Sequence, residues 1–243
     1  MLYLIGIGLG NEKDITLNAL ETLKKCDFIY LENYTSKLNF NIKDFEKLIG
    51  KTIILADREL VESGDDIVNS SLGGEVAFLV KGDVFSATTH VDIYLRVKKL
   101  NGNCKVLHNS SILTAVGDTG LSLYKFGKTA SIPFNYKNIH TPFDIYLENG
   151  RMHTLFLLDL DPKTNKYMNF KDGLNCLNEN GDGSVNLGTY AVVCAGLGTD
   201  EQIIKYGKIE DLLKININIY PQCFIIPKDL HFMEEEFLNL YKI

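Results

Sequence analysis

Short apolar runs that alternate with amphipathic helical segments are the strongest constraint on what this chain can fold into. "LYLIGI", "DFIYLEN", "TIILAD", "EVAFLVKGD" and "CKVLHN" read as strands. Between them, "ITLNALETLKKC" places apolar residues at 15, 19, 20 and 23 on one helical face. "NIKDFEKLIG" is helical with Gly50 as its C-terminal cap, and "ATTHVDIYLRVKKLNG" reads as a helix ending near Gly102. Strands this apolar, joined by helices, form a mostly parallel sheet covered on both faces.

The pattern restarts after "HNSSILTAVGDTG". "KTASIPF", "HTLFLLDLD", "AVVCAGLG" and "YPQCFIIP" are strand-like, and "DLHFMEEEFLNLY" is a closing helix. The expected organisation is two α/β domains, residues 1–110 and 111–243, within what a chain of 243 residues can support. The junction is not rich in Pro or Gly, so the halves are expected to pack closely. Loops from the carboxyl ends of two such sheets make a natural ligand cleft where they meet.

Composition removes several classes of function. A net charge of −6 gives no nucleic-acid footprint, and no stretch approaches a membrane span. The N-terminus lacks a basic region and a small-residue cleavage site, and reads as the first core strand. Five scattered cysteines, with no C-x-x-C, point to a reducing compartment and away from zinc or an iron–sulfur cluster.

Polar residues and glycines gather at four strand ends: 6–10 ("GIGLG"), 82–90 ("GDVFSATTH"), 108–112 ("HNSSI") and 195–202 ("AGLGTDEQ"). The first is a strand–Gly turn–helix unit, a common way to present backbone N–H groups to a ligand. Asn11 and Lys13 stand where a G-x-G-x-x-G fingerprint needs its last glycine, and no Gly-Lys-Ser/Thr occurs, so a pyrophosphate is not the expected ligand. The bland alternative is that these glycines only let strand and helix pack closely. Asp83 suits either a ligand contact or a cap on the following helix, a cap that Thr88 or Thr89 could equally provide. Residues 178–184, "NENGDGS", imitate a calcium loop, but Thr189 stands where the bidentate Glu belongs, so the stretch reads as a flexible surface loop. G-x-S-x-G and H-E-x-x-H are absent, and the "DREL" run reads as a solvated loop and helix start. Glycine-turn strand ends without an acid/base pair suit group transfer from an already activated cofactor.

These stretches, in order along the chain, resemble the diphthine synthases of the tetrapyrrole-methylase-like superfamily. The resemblance rests on "LYLIGIGLGNEKDIT", "DFIYLENYTS", "ADRELVE", "VAFLVKGDVFSATTH", "VLHNSSILTAVGDTGLSLYKFGKTASI", "HTLFLLDL" and "FIIPKDLHFMEEE". It implies two α/β domains with S-adenosyl-L-methionine in the cleft between them, and a homodimer. It implies a cytoplasmic methyltransferase acting on the 3-amino-3-carboxypropyl-histidine of translation elongation factor 2, with S-adenosyl-L-homocysteine as product. It implies cofactor contacts at Leu9, Asp83, Ser86, Ser111, Ile112, Leu158, Leu197 and Gln222. No metal, nucleic acid or membrane partner is implied, and no catalytic residue is assigned. The chain departs from the family at three positions: Val84 replaces a proline, Gly196 a basic residue and Gln222 a histidine. Two alternatives stay open at this point: a tetrapyrrole methylase of the same fold, and a scaffold that binds the cofactor with weak or no catalysis.

Overall fold

The computed structural model describes residues 1–38, 40–62, 64–137, 139–161, 163–180 and 182–243. The chain divides into two compact units, Met1–Leu113 and Thr114–Ile243. "HNSSI" belongs to the first because Asn109 bonds back into it, its Nδ2 donating to the Gly6 and Asp14 carbonyls at 3.1 and 3.0 Å.

Unit 1 runs β1 (Leu2–Gly6), α1 (Leu17–Leu23), β2 (Phe28–Glu32), α2 (Ile42–Ile49), β3 (Ile54–Ala56), α3 (Arg58–Glu62), α4 (Asp66–Gly73), β4 (Val76–Val80), α5 (Val91–Lys99) and β5 (Cys104–Leu107). A short helix, α6 (Ile112–Ala115), follows. The strands lie in the order β3-β2-β4-β1-β5, and every pairing is parallel. Alternation sorts the side chains between two buried layers. Leu2, Leu4, Phe78 and Val80 pack with Ile67, Val68, Ile93 and Val97 from α4 and α5. On the other face, Ile5, Ala77 and Leu79 pack with Ala19, Leu23, Phe45 and Ile49 from α1 and α2. Thr16 caps α1 through the Ala19 N–H, and Gly50 ends α2 at a φ of 72°, as the sequence predicts.

Unit 2 contains β6 (Ala130–Ile132), α7 (Thr141–Glu148), β7 (Thr154–Leu158), a small ribbon of β8 (Leu160–Asp161) and β9 (Lys166–Tyr167), α8 (Phe170–Asn180), β10 (Tyr190–Ala195), β11 (Ile203–Lys208), α9 (Ile209–Leu212), β12 (Gln222–Ile226) and α10 (Phe232–Asn239). Its main sheet has the order β11-β10-β12-β7-β6. Only β6–β7 is parallel there; the other three pairings are antiparallel. Phe156 and Phe224 stack across the core at a centroid distance of 4.8 Å.

Five elements of unit 2 lie outside the segments that sequence pattern marks: α7, β9, α8, β11 and α9. Gly173 disguises α8, yet it is what lets the helix lie on the sheet, since a Cβ there would sit 2.7 Å from Leu158 and Phe224. α8 also corrects the reading of 178–184. Its first residues are helical to Asn180, and Asp182 accepts the Ser184 N–H at 2.9 Å; Gly181 lies outside the described residues. Among the described residues, no helix is long and apolar enough to cross a membrane.

Candidate functional site

Parallel strands deliver their carboxyl ends to one edge of a sheet. In unit 1 the turns after β1 and β4 clasp there. The Gly8 N–H donates to the Gly82 carbonyl at 3.2 Å, and the Gly82 N–H donates to the Gly8 carbonyl at 2.9 Å. Glycine is required at these points. Gly8 and Gly82 have φ of 76° and 82°, and a Cβ on Gly6 would lie 2.6 Å from the Gly82 carbonyl oxygen. The polar frame beneath is local: the Asp14 carboxylate accepts the Gly10 N–H at 2.6 Å, and Asn11 caps the short turn at Glu12–Asp14. Asn11 and Lys13, which break the dinucleotide fingerprint, thus belong to a turn of different construction.

Asp83 is buried beside the clasp. Its Oδ1 accepts from the Asn109 N–H at 3.0 Å and meets His108 Nδ1 at 2.9 Å; its Oδ2 lies 3.3 Å from Ser86 Oγ and 3.4 Å from the Phe85 N–H. Burial alone would raise its pKa, but the Asn109 N–H and the His108 ring outweigh that and hold the carboxyl below the usual range. It does not cap α5: residue 90 stands at that position, and Thr88 Oγ1 donates to the Val84 carbonyl. The loop carries further strain, with Ala87 at a φ of 60°. Val84, where the family has proline, is fully buried in the core.

Leu9, Asp83, Ser86, Ser111 and Ile112 therefore fall on three neighbouring strand ends of unit 1. A Cβ on Gly82 would lie within 3.8 Å of Leu9 Cδ2, the Ser110 carbonyl and Ser111 Cα, which measures how closely these loops converge. Ser111 is buried and Ile112 opens α6. Backbone groups and an ionised carboxylate can bind and orient a ligand.

Leu158, Leu197 and Gln222 lie in unit 2. The register pairs Ala195 with Gln222 and Leu157 with Cys223, so the ends of β7 and β10 and the start of β12 share one sheet edge. Leu197 follows β10 between Gly196 and Gly198, at φ of 59° and 79°. A Cβ on Gly196 would lie 2.8 Å from Ile219, so the loop is shaped for glycine where the family has a basic residue. Gln222 is committed to the backbone. Its Oε1 accepts the Phe170 N–H at 2.8 Å, and its Nε2 donates to the Ile217 and Ile219 carbonyls at 2.9 Å. Both N–H groups of this amide are therefore spent on the chain itself.

His90, the other ionisable side chain of "GDVFSATTH", is 0% exposed. Neither ring nitrogen has a hydrogen-bond partner, and the ring packs edge-on against Phe78 and Tyr34. Burial pushes its pKa down to about 4. Sequence reasoning missed the supporting residues Asp14, Lys81 and Asn109; only the last stood in a stretch singled out for chemistry. Among the described residues, no group of His, Cys, Asp and Glu could hold a metal.

Parallel strand ends, clasped glycine turns and a second, mixed sheet define the class, and comparison with known proteins agrees. The profile of the Tetrapyrrole (Corrin/Porphyrin) Methylases matches residues 1–213. Full-length relatives narrow this further. The chain is 41% identical to a diphthine synthase of Methanococcus aeolicus, covering 98% of this chain and 97% of that one. It is 39% identical to a diphthine methyl ester synthase of Schizosaccharomyces pombe, covering 100% and 95%. A crystal structure of a diphthine synthase superposes with a TM-score of 0.91 at 32% identity, over 100% of this chain and 96% of that one. The chain belongs to the tetrapyrrole methylase family and, within it, to the diphthine synthases: it is a methyltransferase.

Proposed function

We propose that the chain methylates the 3-amino-3-carboxypropyl-histidine of translation elongation factor 2, a step of diphthamide biosynthesis, with S-adenosyl-L-methionine as methyl donor. Full-length likeness to diphthine synthases is the observation that carries this reading. Those relatives lead the reading away from a tetrapyrrole substrate. The intact frame around Asp83 leads it away from a degenerate scaffold. We place the cofactor contacts at Leu9, Asp83, Ser86, Ser111, Ile112, Leu158, Leu197 and Gln222, the last through its strand-end position rather than its amide. The donor fits what is present. The glycines at 6, 8 and 82 keep the turns free of side chains where a ligand would approach, and Asp83 supplies fixed negative charge toward a cationic one.

When bound, S-adenosylmethionine supplies a methyl group already activated by the sulfonium. What remains for the protein is alignment. Orientation of a neutral amine along the transfer axis can supply about 7–11 kcal/mol of the barrier. The clasped turns and Asp83 fix the donor side; Gly196, in place of a basic residue, leaves the acceptor's carboxylate without a cation at that position. The amine sheds its proton to solvent or to its own carboxylate, so no side chain is assigned as base. The homodimer follows from the resemblance, and the scattered cysteines support a cytoplasmic location.

The test is methyl transfer from S-adenosylmethionine to purified elongation factor 2 carrying the unmethylated intermediate. Mass spectrometry of the product counts the methyl groups. Turnover of a tetrapyrrole alone, or cofactor binding with no transfer, would replace this reading.

A further inference from the structure

Lys81 is out of place as a strand-end residue. It directly follows the fully apolar β4, "VAFLV", and is 7% exposed. Burying an ammonium costs several kcal/mol unless it is compensated, whereas an apolar side chain would fill the same space without that cost. The compensation here is specific. Nζ donates to the Gly10 carbonyl at 2.9 Å, joining residues 71 positions apart. The other polar group of Gly10, its N–H, is taken by the Asp14 carboxylate at 2.6 Å. A cation and an anion thus hold both polar groups of one residue in the glycine turn. The ammonium also lies 5.5 Å from the Phe40 ring centroid. Among the described residues, the charged groups acting here are Asp14, which favours the ammonium, and Glu32, which lies near the Lys81 backbone.

We propose that Lys81 is a positioning residue for the methyl donor: by fixing the Gly10 carbonyl it sets the backbone of Leu9, and with it the donor's contact in the glycine turn. This rests on the cofactor reading above. The bond to Gly10 is charge-assisted only while Lys81 is protonated, and burial brings its pKa down to about 8, with Asp14 pulling the other way. The positioning therefore weakens as pH rises through that value. An ammonium recruited only for packing would show no such dependence.

The experiment is calorimetric titration of wild type, Lys81→Met and Lys81→Arg with S-adenosylmethionine, at pH values below and above 8, with thermal unfolding in parallel. Below that pH, Lys81→Met is expected to bind about tenfold more weakly than wild type, and Lys81→Arg to recover most of the loss. Above it, the gap between wild type and Lys81→Met should close to a few-fold. With elongation factor 2 as acceptor, the KM for the donor should rise in Lys81→Met while kcat holds. Equal affinity of wild type and Lys81→Met would overturn the inference alone, as would a loss that is independent of pH, tracks the melting temperature and is not rescued by arginine. Failure of wild type itself to bind would overturn the cofactor reading, and this inference with it.

Discussion

The two units use their strand ends in opposite ways. In unit 1, a parallel sheet brings loop after loop to one edge, and polar side chains hold those loops: Asp14 and Lys81 on Gly10, Asn109 on the β1 turn, Asp83 on the β5 loop. In unit 2, a mostly antiparallel sheet ends in buried leucines, two left-handed glycines and a glutamine consumed by its own backbone. Polar side-chain bonds hold the first edge, and backbone shape holds the second. A change of charge should therefore be felt in unit 1 as lost binding, and a lost hydrogen bond in unit 2 as lost stability.

The largest effect should come from glycine. Gly6→Val would drive a Cβ to 2.6 Å from the Gly82 carbonyl oxygen, a backbone atom with nowhere to go. Loss of donor affinity of about a hundredfold or more is expected, comparable to several kcal/mol of strain. Gly196→Ala in unit 2 meets instead a movable Ile219 methyl at 2.8 Å, and should cost less despite its positive φ. Equal losses in calorimetry would remove the contrast between the edges.

Next comes Gln222→Ala. It orphans the buried Phe170 N–H and two carbonyls, so urea titration should show a destabilisation of about 2–3 kcal/mol. Donor affinity at a temperature where the variant is folded should change only several-fold. A hundredfold loss of affinity with unchanged stability would mean that the amide serves the ligand after all.

Asp83→Ala should weaken donor binding by about tenfold or more, the worth of a charge-assisted hydrogen bond. Binding isotherms that placed His90→Ala below Asp83→Ala would reverse the assignment of this loop.

The smallest effect is expected at His90. Its nitrogens make no hydrogen bond, and the nearest charge is the buried Glu32 carboxylate, 4.0 Å from Nε2, so His90→Phe should change stability near neutral pH only slightly. The difference lies in acid. Folding lowers this histidine's pKa from 6.5 to about 4, so the unfolded chain takes up a proton in that window while the folded one does not. Wild type should lose stability as pH falls from 6.5 to about 4, and the phenylalanine variant should lose less over the same range. Parallel denaturation curves for the two proteins would show that the ring is protonated in the folded state.

Much of this was legible in the sequence, for reasons that can be given element by element. β1, β2 and β4 are largely apolar on both faces because both faces are covered, and such runs declare themselves. Gly50 announced the end of α2, and the glycine-rich strand ends coincide with left-handed turns at Gly8, Gly82, Gly196 and Gly198. Unit 2 was harder. Strand direction is not written in an apolar run, so the antiparallel pairing of β10 with β11 and β12 could not be read from it. α8 hid behind Gly173, and β11, "IIKYGK", alternates only weakly.

The sequence by itself determined the alternation of strand and helix, the Gly50 cap and the family. These are properties of local pattern, and each is set within a few residues. Only the tertiary structure decided what each polar side chain does. Asp83 could have capped a helix or faced a ligand, and it became the acceptor of the Asn109 N–H because β4 and β5 flank β1 on either side. Lys81 could have been solvated, and it reached Gly10 across 71 positions. Gln222 could have faced a ligand, and its N–H groups went to Ile217 and Ile219. A hydrogen bond depends on which groups meet in three dimensions, and that meeting is fixed by strand order and register, which no single segment of the sequence contains.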